Sequence, residues 1–251
     1  MNRLLIIIVA VLFASPPLLA AEAPAHIAAA IASPERSDQD RERDQKDRPA
    51  EVLAFAGVKP GMAVADVFGG GGYWSELIAR AVGPEGKVTL VNNAPYANFA
   101  REDMKTRFAE GRMAGIERRT IETCDMKLGS ARYDLILIVM SYHDIYYVDE
   151  EGGWPAIDAD GFLKQLHTAL QPGGRLLVID HAAAQGAGNN GAGEIHRIEE
   201  SFAKQDIESH GFAFEKSWDG YRNPSDDLAK LVFDPAVRGK TDRFTHLYRR
   251  Q

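Results

Sequence analysis

The sequence predicts an α/β fold, a mainly parallel sheet of seven strands with helices on both faces. Three observations predict it. Short apolar strand-like runs alternate with helix-length segments from residue 49 onward. One such run, Ala63 to Val67, leads into Gly69, Gly70, Gly71 and Gly72, which open a helix. The unbroken stretch Leu135-Ile136-Leu137-Ile138-Val139 has the pattern of a strand buried on both faces.

The elements follow in order. Asn2-Arg3, the apolar run Leu4 to Phe13, the break Ser15-Pro16-Pro17 and the small residues Ala20-Ala21 read as a signal peptide over 1–21. A periplasmic or secreted location follows, with no stable membrane insertion after cleavage. The apolar run is shorter than the roughly 20 residues of a spanning helix. Residues 22–48 form a charged helical lead-in: Ala28 to Pro34 reads as loose, and Arg36 to Arg48 as a helix. That helix carries the opposite-sign pairs Arg36/Asp40, Arg43/Asp47 and Asp44/Arg48. It reads either as a solvated helix or as a lid over the glycine loop.

Residues 49–251 hold the main domain. Helix Ala50 to Phe55 ends at Gly57. Strand 63–67, helix 75–82 and strand 87–92 follow. Next come helix Asn98 to Ala114, strand 116–122 and strand 133–140. Helix Asp160 to Leu170 stops at Gln171-Pro172-Gly173-Gly174, before strand 175–180. Helix Glu194 to His210 precedes a terminal strand, loop and strand from Phe212 to Gln251. Ligands in such sheets bind outside the carboxyl ends of the strands.

At 251 residues and 45% apolar content, the chain can bury the core of one sizeable domain. Its formal charge of −7 gives no electrostatic reason to expect nucleic acid as a partner. Cys124 is the only cysteine, so no disulfide forms within the chain. Its place at the end of a strand-like segment reads as a half-buried structural thiol.

The glycine run constrains the ligand. A dinucleotide loop, G-x-G-x-x-G, would put Ser75 or Trp74 where the third glycine belongs. A phosphate-binding P-loop would need Lys-Ser/Thr after the glycines, and none is present. Asp66 ends the strand, which suits a nucleoside ligand better than a phosphate.

In Asp66, Gly70, Gly72, the segment Leu170-Gln171-Pro172-Gly173-Gly174 and the terminal strand pair, the chain resembles the class I S-adenosylmethionine-dependent methyltransferases over roughly residues 46–251. More narrowly it is similar to a secreted group of predicted methyltransferases. That likeness rests on Arg48 to Leu53, Ser141-Tyr142-His143-Asp144, His196-Arg197-Ile198 and Arg238 to Phe244. The resemblance implies a Rossmann-like methyltransferase fold with an antiparallel C-terminal strand. It also implies S-adenosyl-L-methionine as cofactor and a small-molecule substrate. Asp66, Gly69, Gly70, Gly71, Gly72 and Tyr73 would surround the methionine part. Asn92 would stand at the ribose and Asp125 at the adenine.

Two positions depart from the family pattern. Phe68 replaces the first glycine of the loop, and Asn92 replaces the ribose-binding acid. An amide offers one neutral acceptor, and charge-assisted bonds are roughly twice as strong, so weaker ribose capture is expected. These departures and the export signal keep a second reading open: a methyltransferase-like domain that binds another small ligand without catalysis.

Methyl transfer is an in-line displacement that needs alignment and sometimes loss of a proton. Tyr142, His143 and Asp144 follow strand 133–140, with His143 a candidate base oriented by Asp144. His181 closes the next strand. His143, Asp180, His181 and His196 are chemically suitable metal ligands, but their spacing fits no recognised short motif, and no metal is expected. Tyr146, Tyr147 and Trp154 read as pocket walls or loop anchors.

Overall fold

Seven strands make one sheet: β1 (Ala63–Val67), β2 (Lys87–Asn92), β3 (Ile116–Thr120), β4 (Tyr133–Val139), β5 (Leu170–His181), β6 (Phe212–Ser217) and β7 (Arg243–Arg250). The computed structural model describes residues 23–251, so the signal-peptide reading of 1–21 lies outside the described residues. The strand order is β3-β2-β1-β4-β5-β7-β6. β3, β2, β1, β4 and β5 are parallel, and β7 runs antiparallel to both β5 and β6. The expected mainly parallel sheet with an antiparallel C-terminal strand is the one formed. The order reverses between β1 and β4, which places a cleft beyond their carboxyl ends.

Side chains alternate across β4 with the period of two that a strand imposes. Leu135 and Leu137 join one core cluster, and Ile136 and Ile138 join the other, on the opposite face. The first cluster is closed by α1 (Ala25–Ala32), α3 (Pro49–Ala56) and α4 (Tyr73–Val82), through Ile27, Val52, Leu53, Leu77 and Ile78. The second is closed by α7 (Ala159–Ala169) and α9 (Glu200–Ser209), through Phe162, Leu163, Leu166, Ala203 and Ile207. Each of the fully buried Val, Leu, Ile and Phe side chains among these contributes about 1.5–3 kcal/mol of transfer free energy.

Most elements lie within a residue or two of their expected bounds, with four informative differences. The lead-in is helical from Ala25, because alanine-rich sequence favours a helix and Ile27 and Ala30 are buried. The expected helix from Asn98 is two: α5 (Ala94–Phe99), capped by the Asn93 side chain, and α6 (Arg101–Arg107). They part at the buried Ala100, with φ −90° and ψ 11°. The expected helix from Glu194 is also two, α8 (Gly191–Ile195) and α9, broken where His196 takes the left-handed φ of 54°. Cys124 is exposed, because the chain leaves the sheet at Thr120 and residues 122–125 form a surface turn. No described helix is long and apolar enough to cross a membrane.

The charged helix α2 (Asp38–Asp47) begins at Ser37, whose hydroxyl accepts from the Asp40 N–H. It is not simply solvated. Of the three expected pairs only Arg43–Asp47 forms, at 2.6 Å. Arg36 instead forks onto Asp44 at 2.6 and 2.7 Å. Asp40 receives both terminal nitrogens of Arg107 from α6.

Candidate active site

The glycine loop leaves β1 at the point where the strand order reverses. Phe68 adopts φ 55° and turns its ring into the core, stacked 4.8 Å from Tyr96 and tilted against Phe162 at 5.4 Å. A side chain is therefore accommodated at the departed glycine position, as a core residue. Gly69 lies so close to the Asp66 carboxylate that a Cβ there would overlap it. Gly72, at φ 82°, starts α4.

Asp66 is fully buried. Its Oδ2 accepts from the Ser75 hydroxyl at 2.7 Å, and its Oδ1 has no hydrogen-bond partner among the described residues. Burial raises its pKa to about 6, against the lowering effect of the Ser75 hydrogen bonds. Asn92, at the end of β2, pairs with Gly70 at both ends of its amide. Tyr73 is buried and donates its hydroxyl to Asp44 of α2 at 2.6 Å, with the Arg43 guanidinium 4.0 Å from its ring centre. Asp125 is exposed in the turn beyond β3, with Lys127 at 4.0 Å. The structure thus gathers Asp66, Gly70 and Asn92, turns Tyr73 towards α2 and leaves Asp125 in solvent.

Arg107 was not legible as a site residue. It donates to the Gly71 carbonyl at 2.7 Å and joins Asp40 and Glu76, tying α2, α6 and α4 around the loop. These bonds and the Tyr73–Asp44 bond place α2 beside the glycine loop.

On the β4–β5 side of the cleft lies a cluster of histidines and carboxylates. His143 and Asp144 sit on a single 3-10 turn after β4, Asp180 and His181 end β5, and His196 occupies the break before α9. The His143 Nδ1 lies 2.8 Å from Asp180 Oδ1, and the His143 backbone N–H donates to Asp180 Oδ2 at 2.7 Å. The orienting carboxylate on Nδ1 is therefore Asp180, while Asp144 faces Nε2 at 3.3 Å. His196 Nδ1 approaches the same Nε2 to 3.2 Å. Burial alone would lower the His143 pKa, but the Asp180 and Asp144 carboxylates outweigh it and raise it to about 9.

Tyr96 donates its hydroxyl to Asp144 and so links the Phe68 stack to this cluster. Tyr147 stacks on the His196 ring at 4.9 Å, and Trp154 packs edge-on against both Tyr96 and Tyr147. Tyr142 is buried, and its hydroxyl donates to Asp206 of α9 instead of facing the cluster; Tyr146 donates to the same carboxylate. His181 Nδ1 lies 2.7 Å from the Thr241 hydroxyl, and burial holds its pKa well below the ordinary histidine value. Tyr96 and Thr241 carried no signal in the sequence, since their partners are distant along the chain.

No protein-family model matches the chain. It is 26% identical over 135 residues to the ubiquinone/menaquinone biosynthesis C-methyltransferase UbiE of Teredinibacter turnerae, covering 53% of this chain and 49% of that protein. The UbiE of Pseudomonas paraeruginosa is 24% identical over 130 residues, covering 51% of this chain and 45% of that protein. The chain spans about half the length of the curated relatives it matches. Among solved structures, a SAM-dependent methyltransferase from Aquifex aeolicus superposes with TM-score 0.55 at 20% identity, covering 85% of this chain and 99% of that one. The geranyl diphosphate C-methyltransferase of Streptomyces coelicolor A3(2) gives TM-score 0.59 at 14% identity, covering 89% and 88%. These likenesses and the strand order agree: the chain has the fold of the class I S-adenosylmethionine-dependent methyltransferases.

Proposed function

We propose that the protein transfers the methyl group of S-adenosylmethionine to a small molecule. The observation that carries this reading is the glycine loop at the reversal of strand order, folded against a buried Asp66 whose Oδ1 lacks a partner. An unpartnered buried carboxylate oxygen costs free energy and suits a ligand with a donor or a positive charge. Asp66 and the loop would hold the methionine part, and Asn92, its amide committed to Gly70, would shape the loop beside the ribose. Bound there, the cofactor supplies an electrophilic methyl group on a sulfonium.

The chain's own residues then align the partners of an in-line displacement. The acceptor would lie on the β4–β5 side, where His143 and Asp144 are flanked by His181 and by His196, on which Tyr147 stacks. Tyr96, stacked on Phe68, donates its hydroxyl to Asp144. The apolar run Leu4 to Phe13 supports export to the periplasm or beyond, which N-terminal sequencing of the protein from fractionated cells would test.

Calorimetric titration with S-adenosylhomocysteine tests the function. One binding site is expected, at least tenfold weaker in Asp66→Ala, the loss of about one charge-assisted hydrogen bond. No heat and no thermal shift at millimolar ligand would sink this reading and leave the fold serving as a carrier of some other small molecule.

A further inference from the structure

The geometry points to a metal site: we infer that His143 Nε2, His196 Nδ1 and Asp144 Oδ1 bind one zinc-class divalent ion, with Asp180 orienting His143. The three candidate ligand atoms lie 3.2, 3.3 and 3.7 Å from one another. Tetrahedral ligands at the usual zinc distances of about 2.0–2.1 Å are separated by about 3.4 Å. The triad is therefore already spaced as three corners of a zinc tetrahedron.

The protons around the cluster support the assignment. Asp180 accepts the backbone N–H groups of His143 and His181, each at 2.7 Å, which marks it as an acceptor that leaves the hydrogen on His143 Nδ1. Nε2 is then the ring atom that faces Asp144 Oδ1 and His196 Nδ1, so an ion bound there would displace any proton it carries. Asp144 Oδ2 is occupied by the Tyr96 hydroxyl, which leaves Oδ1 for the same centre. Three candidate ligand atoms thus lie together, and one cation would be shared by all of them. A single shared proton, by contrast, bridges two at most.

The surroundings have the features of a metal centre. A ligating histidine whose other nitrogen is held by a carboxylate has its tautomer and ring orientation fixed. Two imidazoles and one carboxylate select a first-row transition ion over magnesium or calcium, which prefer all-oxygen shells. His143 and Asp144 are buried, whereas the His196 side chain retains 20% exposure and gives the ion a way in. Three protein ligands leave a position for water or for a donor atom of the methyl acceptor. The sequence offered His143 and His196 as ligands but not their meeting, because His196 comes 53 residues later and is aimed by a left-handed break in the chain.

The test uses the whole protein, stripped with chelator and dialysed, then titrated with Co2+ and with Zn2+. One equivalent of Co2+ with a visible tetrahedral ligand-field spectrum, displaced by one equivalent of Zn2+, is expected. His196→Ala should abolish the spectrum, and Asp180→Asn should weaken Zn2+ binding about 10–100-fold. Circular dichroism checks that each variant is folded. Should a variant unfold, the unaltered protein still decides the matter through its stoichiometry and spectrum. Substoichiometric Co2+ without a ligand-field band, or unchanged binding by folded His196→Ala, would overturn the site and leave a hydrogen-bonded cluster sharing a proton. Neither readout uses S-adenosylmethionine, so this inference and the methyltransferase reading stand or fall separately.

Discussion

Asn92 grips Gly70 from both sides: its Oδ1 accepts the Gly70 N–H at 3.0 Å, and its Nδ2 donates to the Gly70 carbonyl at 2.9 Å. The amide that replaces a ribose-binding acid is thus the clasp of the glycine loop. An aspartate there could keep the first bond but would turn a carboxylate oxygen against the Gly70 carbonyl. Asn92→Asp is expected to destabilise the ligand-free protein by about 1–3 kcal/mol in urea unfolding. Unchanged stability would mean the clasp contributes nothing.

Phe68 holds a left-handed backbone conformation and a buried ring together, and these requirements pull in opposite directions on substitution. Removing the ring costs about 3–5 kcal/mol. An L-alanine then keeps the left-handed strain of roughly 1–2 kcal/mol, which glycine escapes. Phe68→Gly should therefore be at least as stable as Phe68→Ala, the reverse of the usual order. Thermal unfolding of the two variants settles it.

The buried Asp66 makes stability depend on pH in a stated direction. Its folded pKa of about 6 lies above the ordinary 3.8, so the folded protein holds the proton more tightly than the unfolded chain. That stabilisation is fully present below 3.8 and is lost as the pH rises through about 6. A difference of that size corresponds to about 3 kcal/mol. Asp66→Asn, neutral throughout, should match the parent protein near pH 4 and exceed its stability by about that amount near pH 8. Parallel stability curves for the two proteins would refute the shift.

Arg197 and Asp226 form a fully buried forked pair at 2.9 and 3.1 Å. The arginine also donates to the Ala182 and Lys230 carbonyls, and Asp226 also receives the Asp242 N–H. Asp226→Ala would strand a buried guanidinium, and a loss of about 3–5 kcal/mol is expected. Denaturant titration checks it. A loss under about 1 kcal/mol would show that water or another group takes the vacant place.

The bond from Arg107 to Gly71 suggests that α2 and α6 hold the glycine loop together. Arg107→Ala leaves Asp40 without its forked partner, whereas Glu76 keeps Arg80 and Arg112. Faster proteolysis of the segment before residue 49 is expected, with the rest of the domain intact. Equal cleavage rates in the parent and the variant would show that α2 is anchored elsewhere.

What the sequence determined by itself was everything set by local pattern. Short apolar runs specified β1, β2 and β4, and apolar residues at helical spacing specified α4 and α7, because burial follows the period of the element. The glycines following Asp66 marked the loop, because a chain reversal that close to a strand end excludes side chains. The breaks at Ala100 and His196 were invisible, since neither residue type signals them. The cluster's members were legible as candidates, but its pairings were not. His143 and Asp144 are neighbours in sequence, but Asp180 joins them through the β4–β5 pairing and His196 through the turn that lets Arg197 reach Asp226. The tertiary structure decided which carboxylate orients His143 and where Tyr142, Tyr73 and Asp125 point. Those outcomes depend on sheet register and on buried ion pairs that close over long stretches of chain, and no local pattern encodes them.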